Sequence, residues 1–227
     1  MTVRTHSYRG VDIIEGDFAD LDLGMLTPTQ LSEINDITTE KRRRERAMTY
    51  QLINHAAAMA VNDGTMAANN GTELDGTQRY AALSGALLGH RDNGAPYLTG
   101  DNGALPIAIS VSHCKSAACI ALGAPGTRFG IDIEEPTDRL ACIADKFLSD
   151  KEKSYISGDL LLHAWTIKEA VYKAADTPGL SLRDGIDITA ITPDASTTRA
   201  LGAAYDGMTL RSADRCLTLC LLAADIP

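Results

Sequence analysis

Three carboxylates and two lysines between Arg128 and Lys173 have the types and spacing to hold a cation beside an anion. Phe129, Ile131 and Ile133 alternate with Gly130, Asp132 and Glu134, and a strand sends alternate side chains to opposite faces. Asp132 and Glu134 therefore project to one side while the isoleucines enter a core. Downstream, Ala164, Ile167, Val171 and Ala174 recur at helical spacing and form one apolar stripe. Trp165, Glu169 and Lys173 are each four apart and share roughly the opposite face. If that helix packs beside that strand, Asp132, Glu134 and Glu169 meet, with Lys168 and Lys173 close by. Hard oxygen donors of this kind suit Mg²⁺, which keeps several waters and favours a few carboxylates plus substrate phosphate. Taken alone, an Asp-x-Glu reads as a solvated strand end and a Lys-Glu-x-x-x-Lys as a solvated helix face. The two in this order point to chemistry.

Positioning those residues requires a folded α+β scaffold. The chain has 227 residues, a net charge of −9, 44% hydrophobic residues and few aromatics, at 5%. That suits one domain or two fused small lobes, and the acidic balance argues against bulk attraction to nucleic acid. The five cysteines include no Cys-x-x-Cys pair, which argues for reduced thiols and a cytoplasmic setting. No apolar run is long enough to span a membrane, and the N-terminus shows no apolar signal region.

Along the chain, residues 11–18 predict a strand. Thr27, Pro28 and Gln30 predict a capped helix to about Asn35. Lys41-Arg42-Arg43-Arg44-Glu45-Arg46 opens a helix to about Ala60. Positive charge there opposes the helix dipole, and an anionic ligand would offset that cost. Residues 61–77 read as a surface loop, in which Asn70-Gly71-Thr72 matches a sequon. A helix is expected from about Gln78 to Leu88, then strands over 107–112 and 117–122 around Ser112-His113. Helices follow over 140–147, from a Ser149 cap, and over 160–175. Strands at 186–191 and 215–223, with a turn region at 202–207, complete the chain. The lobes are expected at 1–125 and 126–227.

The pair Gly130-Ile131-Asp132-x-Glu134 and Trp165-x-x-Lys168-Glu169-Ala170-x-x-Lys173 resembles the signature of the 4'-phosphopantetheinyl transferase superfamily. Asn93 to Leu98 looks like its Gly-Lys-Pro segment, and Ile109 to His113 like its Ser-His segment. Lys146-Phe147-Leu148-Ser149 with Glu152, and Gly179 to Leu182, also match. The length is similar to the larger, monomeric, surfactin-synthetase-type subgroup. The resemblance implies two similar α/β lobes related by a pseudo-twofold. It also implies transfer of 4'-phosphopantetheine from coenzyme A to a serine of an apo acyl or peptidyl carrier protein, as a monomer, without nucleic acid or membrane. On this reading Asp132, Glu134 and Glu169 hold Mg²⁺, Glu169 and Lys173 act in catalysis, and Lys41, Arg44, Arg46, Ser112, His113 and Lys168 contact coenzyme A. The connector at 136–158, with Lys146, Lys151 and Lys153, would help receive the carrier.

The chain departs from the pattern at Ala95, where the family has lysine, and at Tyr50, where the basic helix often carries arginine. Arg46, four residues before Tyr50, is the candidate replacement. These departures support an alternative: a non-catalytic carrier-binding homologue with weakened coenzyme A binding. The intact carboxylates and Lys173 weigh against it. An unrelated Mg²⁺-dependent phosphate enzyme lacks any Gly-x-x-x-x-Gly-Lys loop.

Overall fold

The computed structural model describes residues 3–62 and 80–223. The chain is α+β and divides into two compact units. The first comprises Met1–Arg91, Pro96–Ile109 and Ser116–Pro125; the second comprises Asp92–Ala95, Ser110–Lys115 and Gly126–Pro227.

Strands β1 (Val3–Tyr8), β2 (Val11–Asp17) and β7 (Ala117–Gly123) of the first unit, with β6 (Ala108–His113), whose residues from Ser110 on belong to the second, form a sheet in the order β1-β2-β7-β6. Helix α1 (Pro28–Asn35) starts at the expected capping box: Thr27 accepts from the Gln30 backbone, and Gln30 reaches back to Thr27. Helix α2 (Glu40–Asn62) packs on β2 and β7, burying Ala47, Met48, Leu52 and Ile53. A smaller sheet joins β3 (Leu87–His90), β4 (Pro96–Gly100) and β5 (Gly103–Ala104).

The helix expected over 78–88 is corrected across its described part. Ala81–Leu83 make a single 3₁₀ turn, Gly85 takes a φ of 74°, and Leu87–His90 pairs with Pro96–Thr99. A glycine in the left-handed region ends a helix, and the apolar residues beyond it serve a hairpin. The loop reading of 61–77 lies outside the described residues after Asn62, as does the sequon.

The second unit holds an antiparallel sheet in the order β8-β12-β11-β10-β9. Its strands are β8 (Phe129–Glu134), β9 (Ile186–Ile191), β10 (Ala195–Ala200), β11 (Ala203–Arg211) and β12 (Cys216–Leu222). Helices α3 (Arg139–Phe147) and α4 (Asp150–Lys153) lie in the connector, and α5 (Leu160–Ala175) packs across β8 and β12. The stripe Ala164, Ile167, Val171 and Ala174 is buried in this core, as its spacing predicts. The region 202–207 is a turn only at its start. Leu201 and Gly202 turn the chain with positive φ, and β10 and β11 pair on either side. Cys216 and Cys220 are buried and free. No described helix is long and apolar enough to cross a membrane.

Candidate active site

Gly130 sets the distance between β8 and α5. A Cβ there would stand 2.1 Å from the Ala170 carbonyl oxygen and 2.7 Å from the Ala174 nitrogen. Only a hydrogen fits between strand and helix. Asp132 lies two residues on, so its side chain leaves the same face of β8, toward α5. Across the register it faces Thr218 of β12.

Asp132 is buried and tightly held. Ser112 Oγ donates to its Oδ1 at 2.8 Å, and Lys173 Nζ donates to the same oxygen at 2.8 Å. Lys173 also donates to the Ile131 carbonyl at 2.8 Å. Its side chain is 29% exposed. The other carboxylate oxygen, Oδ2, is buried with no hydrogen-bond partner. Ser110 and Ser112, alternating on one strand, turn their hydroxyls to the free edge of β8. Ser110 Oγ accepts the Ile131 N–H at 3.1 Å and Ser112 Oγ accepts the Ile133 N–H at 3.4 Å. Sequence reading missed Ser110, although its spacing from Ser112 placed both on one face.

Glu134, at the end of β8, accepts the indole N–H of Trp165 at 3.2 Å. Burial pushes its carboxyl above the ordinary value and Asp132 adds to this, while Trp165 and Lys173 oppose. Glu169 is pushed up to about 7, chiefly by burial and then by the charge of Asp132; Lys173 lowers it and Glu134 raises it further. The expected carboxylates are thus close enough to repel one another, and Lys173 partly neutralises them. They are not drawn into a ligand set: among the described residues no three His, Cys, Asp or Glu side chains stand gathered about a point. Hard oxygen donors, one of them buried without a partner, are nonetheless the chemistry that fits Mg²⁺. A cation there would relieve the repulsion that raises Glu169.

Of the residues expected to contact coenzyme A, Ser112 is buried with its hydroxyl on Asp132, and two more are otherwise engaged. Lys168 is corrected: its side chain is 0% exposed, as is that of Glu152. Nζ donates to Glu152 Oε2 at 2.8 Å and to the Leu182 and Ile186 carbonyls at 2.8 and 2.7 Å. Three protons and three acceptors leave nothing for a phosphate. Burial lowers the Lys168 pKa and Glu152 opposes that. Glu152 also accepts the Ile188 N–H at 2.8 Å and caps α4, so the pair ties the connector to β9. Arg46 likewise acts as an internal brace through Nη1, which donates to Glu33 at 2.8 Å and to the Leu88 carbonyl at 2.6 Å. Tyr50, fully buried, donates its hydroxyl to Glu33. Position 50 is therefore a core residue of the first unit.

The other predicted contacts lie at the surface. Lys41 is exposed, 3.6 Å from Glu45. Arg44 is exposed with its guanidinium 5.3 Å from the Phe18 ring centre. His113 is exposed at the end of β6. The positive charge of the connector is largely matched by acid. Lys153 pairs with Asp145 and Asp150, and Lys151 with Asp187.

Residues 128–220 match the family model described as the 4'-phosphopantetheinyl transferase superfamily. No curated protein matches the chain. The matched span contains Asp132, Glu134, Glu169 and Lys173.

Proposed function

We propose that this protein transfers 4'-phosphopantetheine from coenzyme A to a serine of an apo carrier protein, releasing adenosine 3',5'-bisphosphate. The observation that carries the reading is Glu169. It lies within the superfamily match, one helical turn from Lys173, whose Nζ holds Asp132 at 2.8 Å. A serine hydroxyl is a weak nucleophile and needs a base. Glu169 is a carboxylate that can accept that proton. The serine oxygen forms a bond to the phosphorus that bears pantetheine. The bond from that phosphorus to the bridging oxygen breaks, and the bisphosphate leaves with the electron pair. Lys173, on the same face of α5, presents positive charge beside Asp132 and can stabilise the departing phosphate. Asp132, Glu134 and Glu169 are the residues that would hold Mg²⁺, which when bound neutralises charge building on the pyrophosphate.

His113, exposed at the end of β6, is the residue of the second unit proposed to meet a phosphate of coenzyme A. The test is direct. The protein is incubated with Mg²⁺, coenzyme A and an apo carrier, and the carrier is weighed. A carrier heavier by one phosphopantetheine group supports the reading. An unmodified carrier, across acyl and peptidyl carriers, overturns it.

A further inference from the structure

The two carboxylates of β8 are held in different ways. Asp132 is short, buried and fixed by a serine and a lysine. Glu134 has a longer side chain, is only partly buried, and takes the Trp165 N–H on Oε1 at 3.2 Å. The Trp165 ring is itself fixed. It stands edge-on to Phe147, with centroids 5.1 Å apart and planes at 82°, and Phe147 is wholly buried at the end of α3. One aromatic contact and one hydrogen bond thus set the direction in which Glu134 points. An indole is a neutral donor. It fixes one carboxylate oxygen without cancelling the charge, and leaves the second oxygen for a cation. A lysine in its place would compete with that cation.

We propose that Trp165 is a positioning residue for Glu134, and that it sets the affinity of Asp132, Glu134 and Glu169 for a divalent cation. The inference rests on the metal site proposed above. A hydrogen bond to a ligand from behind orients it before the ion arrives, and losing such a bond typically weakens metal binding by about 10- to 100-fold. Trp165 is also the single tryptophan of the chain, so all tryptophan emission comes from this side chain.

Two measurements test the proposal. In the first, Mg²⁺ is titrated calorimetrically into the parent protein and into Trp165→Phe, which keeps a ring against Phe147 but has no N–H. The expected result is affinity lower by about 10- to 100-fold in the variant, at a similar melting temperature. In the second, Mg²⁺ is titrated into the parent protein and emission is recorded. The emission is expected to change along the same isotherm as the heat, and Glu134→Gln is expected to lose the response. Equal affinities in parent and Trp165→Phe, or silent emission while heat shows Mg²⁺ binding, overturn the role of Trp165 and leave the metal site standing. Absence of both heat and emission change in the parent overturns the metal site and this inference together. If Trp165→Phe does not fold, the emission of the parent decides.

Discussion

Lys173 Nζ stands 2.8 Å from Asp132 Oδ1, so the best-placed cation on the buried carboxylate is the protein's own ammonium. The lysine also satisfies the Ile131 carbonyl. It stabilises the fold and at the same time holds positive charge where a pyrophosphate would need it.

Replacing Lys173 by methionine should therefore leave Asp132 buried and uncompensated. Loss of one partner of a buried pair costs about 3–5 kcal/mol, and the partial exposure of the lysine reduces this to roughly 2 kcal/mol. The melting temperature should fall by about 4–8 °C, and added Mg²⁺ should restore part of it by binding only the folded state. Thermal unfolding with and without Mg²⁺ checks this. A variant as stable as the parent would show that the pair contributes nothing.

Glu169 gives a pH signature. A carboxyl whose value is raised by folding favours the fold while protonated. That advantage is complete below about pH 4.5 and is lost as pH rises through about 7. Glu169→Gln stays neutral throughout. In metal-free buffer its melting temperature should match the parent near pH 4.5 and exceed it above pH 7, by a gap worth up to about 3 kcal/mol. The same variant should lose transfer by roughly three decades, as expected when a base and ligand is removed. A stability gap that does not vary with pH would rule out the raised carboxyl.

The helix that carries Glu169 was legible because its apolar stripe is buried by one sheet, so periodicity and tertiary structure agree. The capping residues Thr27 and Ser149 were legible for a similar reason, since a cap is satisfied within four residues. What the sequence concealed depends on distant partners. Lys168 finds Glu152 and two carbonyls through the tertiary fold, and nothing local distinguishes it from a solvated lysine. Gly130 reads as one more small residue until Ala170 is set against it. The strands β10 and β11 are rich in Ala and Thr, so alternation is weak, and Gly202 and Gly207 read as a turn.

Gly130→Ala should be among the most damaging single changes outside the carboxylates. The added methyl meets backbone atoms of α5, which cannot rotate away as a side chain can. Overpacking of this kind costs about 1–3 kcal/mol or more, and the shift separates Asp132 from Lys173 and Glu169. Transfer should fall more steeply than stability. A variant with normal turnover and melting temperature would mean that β8 and α5 are not this close.

Lys168→Met separates structure from binding at a position that motif reading alone misplaces. It strands the buried Glu152 carboxylate and should cost about 3–5 kcal/mol. The folded protein should bind coenzyme A as the parent does, because Nζ has no proton left for a phosphate. Calorimetry below the melting transition checks this, and a selective loss of coenzyme A affinity would restore Lys168 as a ligand.

Ser112 and His113 are neighbours with opposite surroundings, and the difference predicts different failures. The Ser112 hydroxyl is buried and directed at Asp132, whereas the His113 ring is exposed. A hydrogen bond to a charged group contributes about 1.5–3 kcal/mol, or roughly one to two decades in a binding constant. Ser112→Ala should therefore weaken Mg²⁺ binding by that factor and slow transfer, while leaving coenzyme A affinity in metal-free buffer nearly unchanged. His113→Ala should do the reverse, lowering coenzyme A affinity and sparing Mg²⁺. Paired titrations of both variants with each ligand distinguish the two. If Ser112→Ala loses coenzyme A in metal-free buffer as severely as His113→Ala, its hydroxyl serves the phosphate, and Asp132 must be held by Lys173 alone.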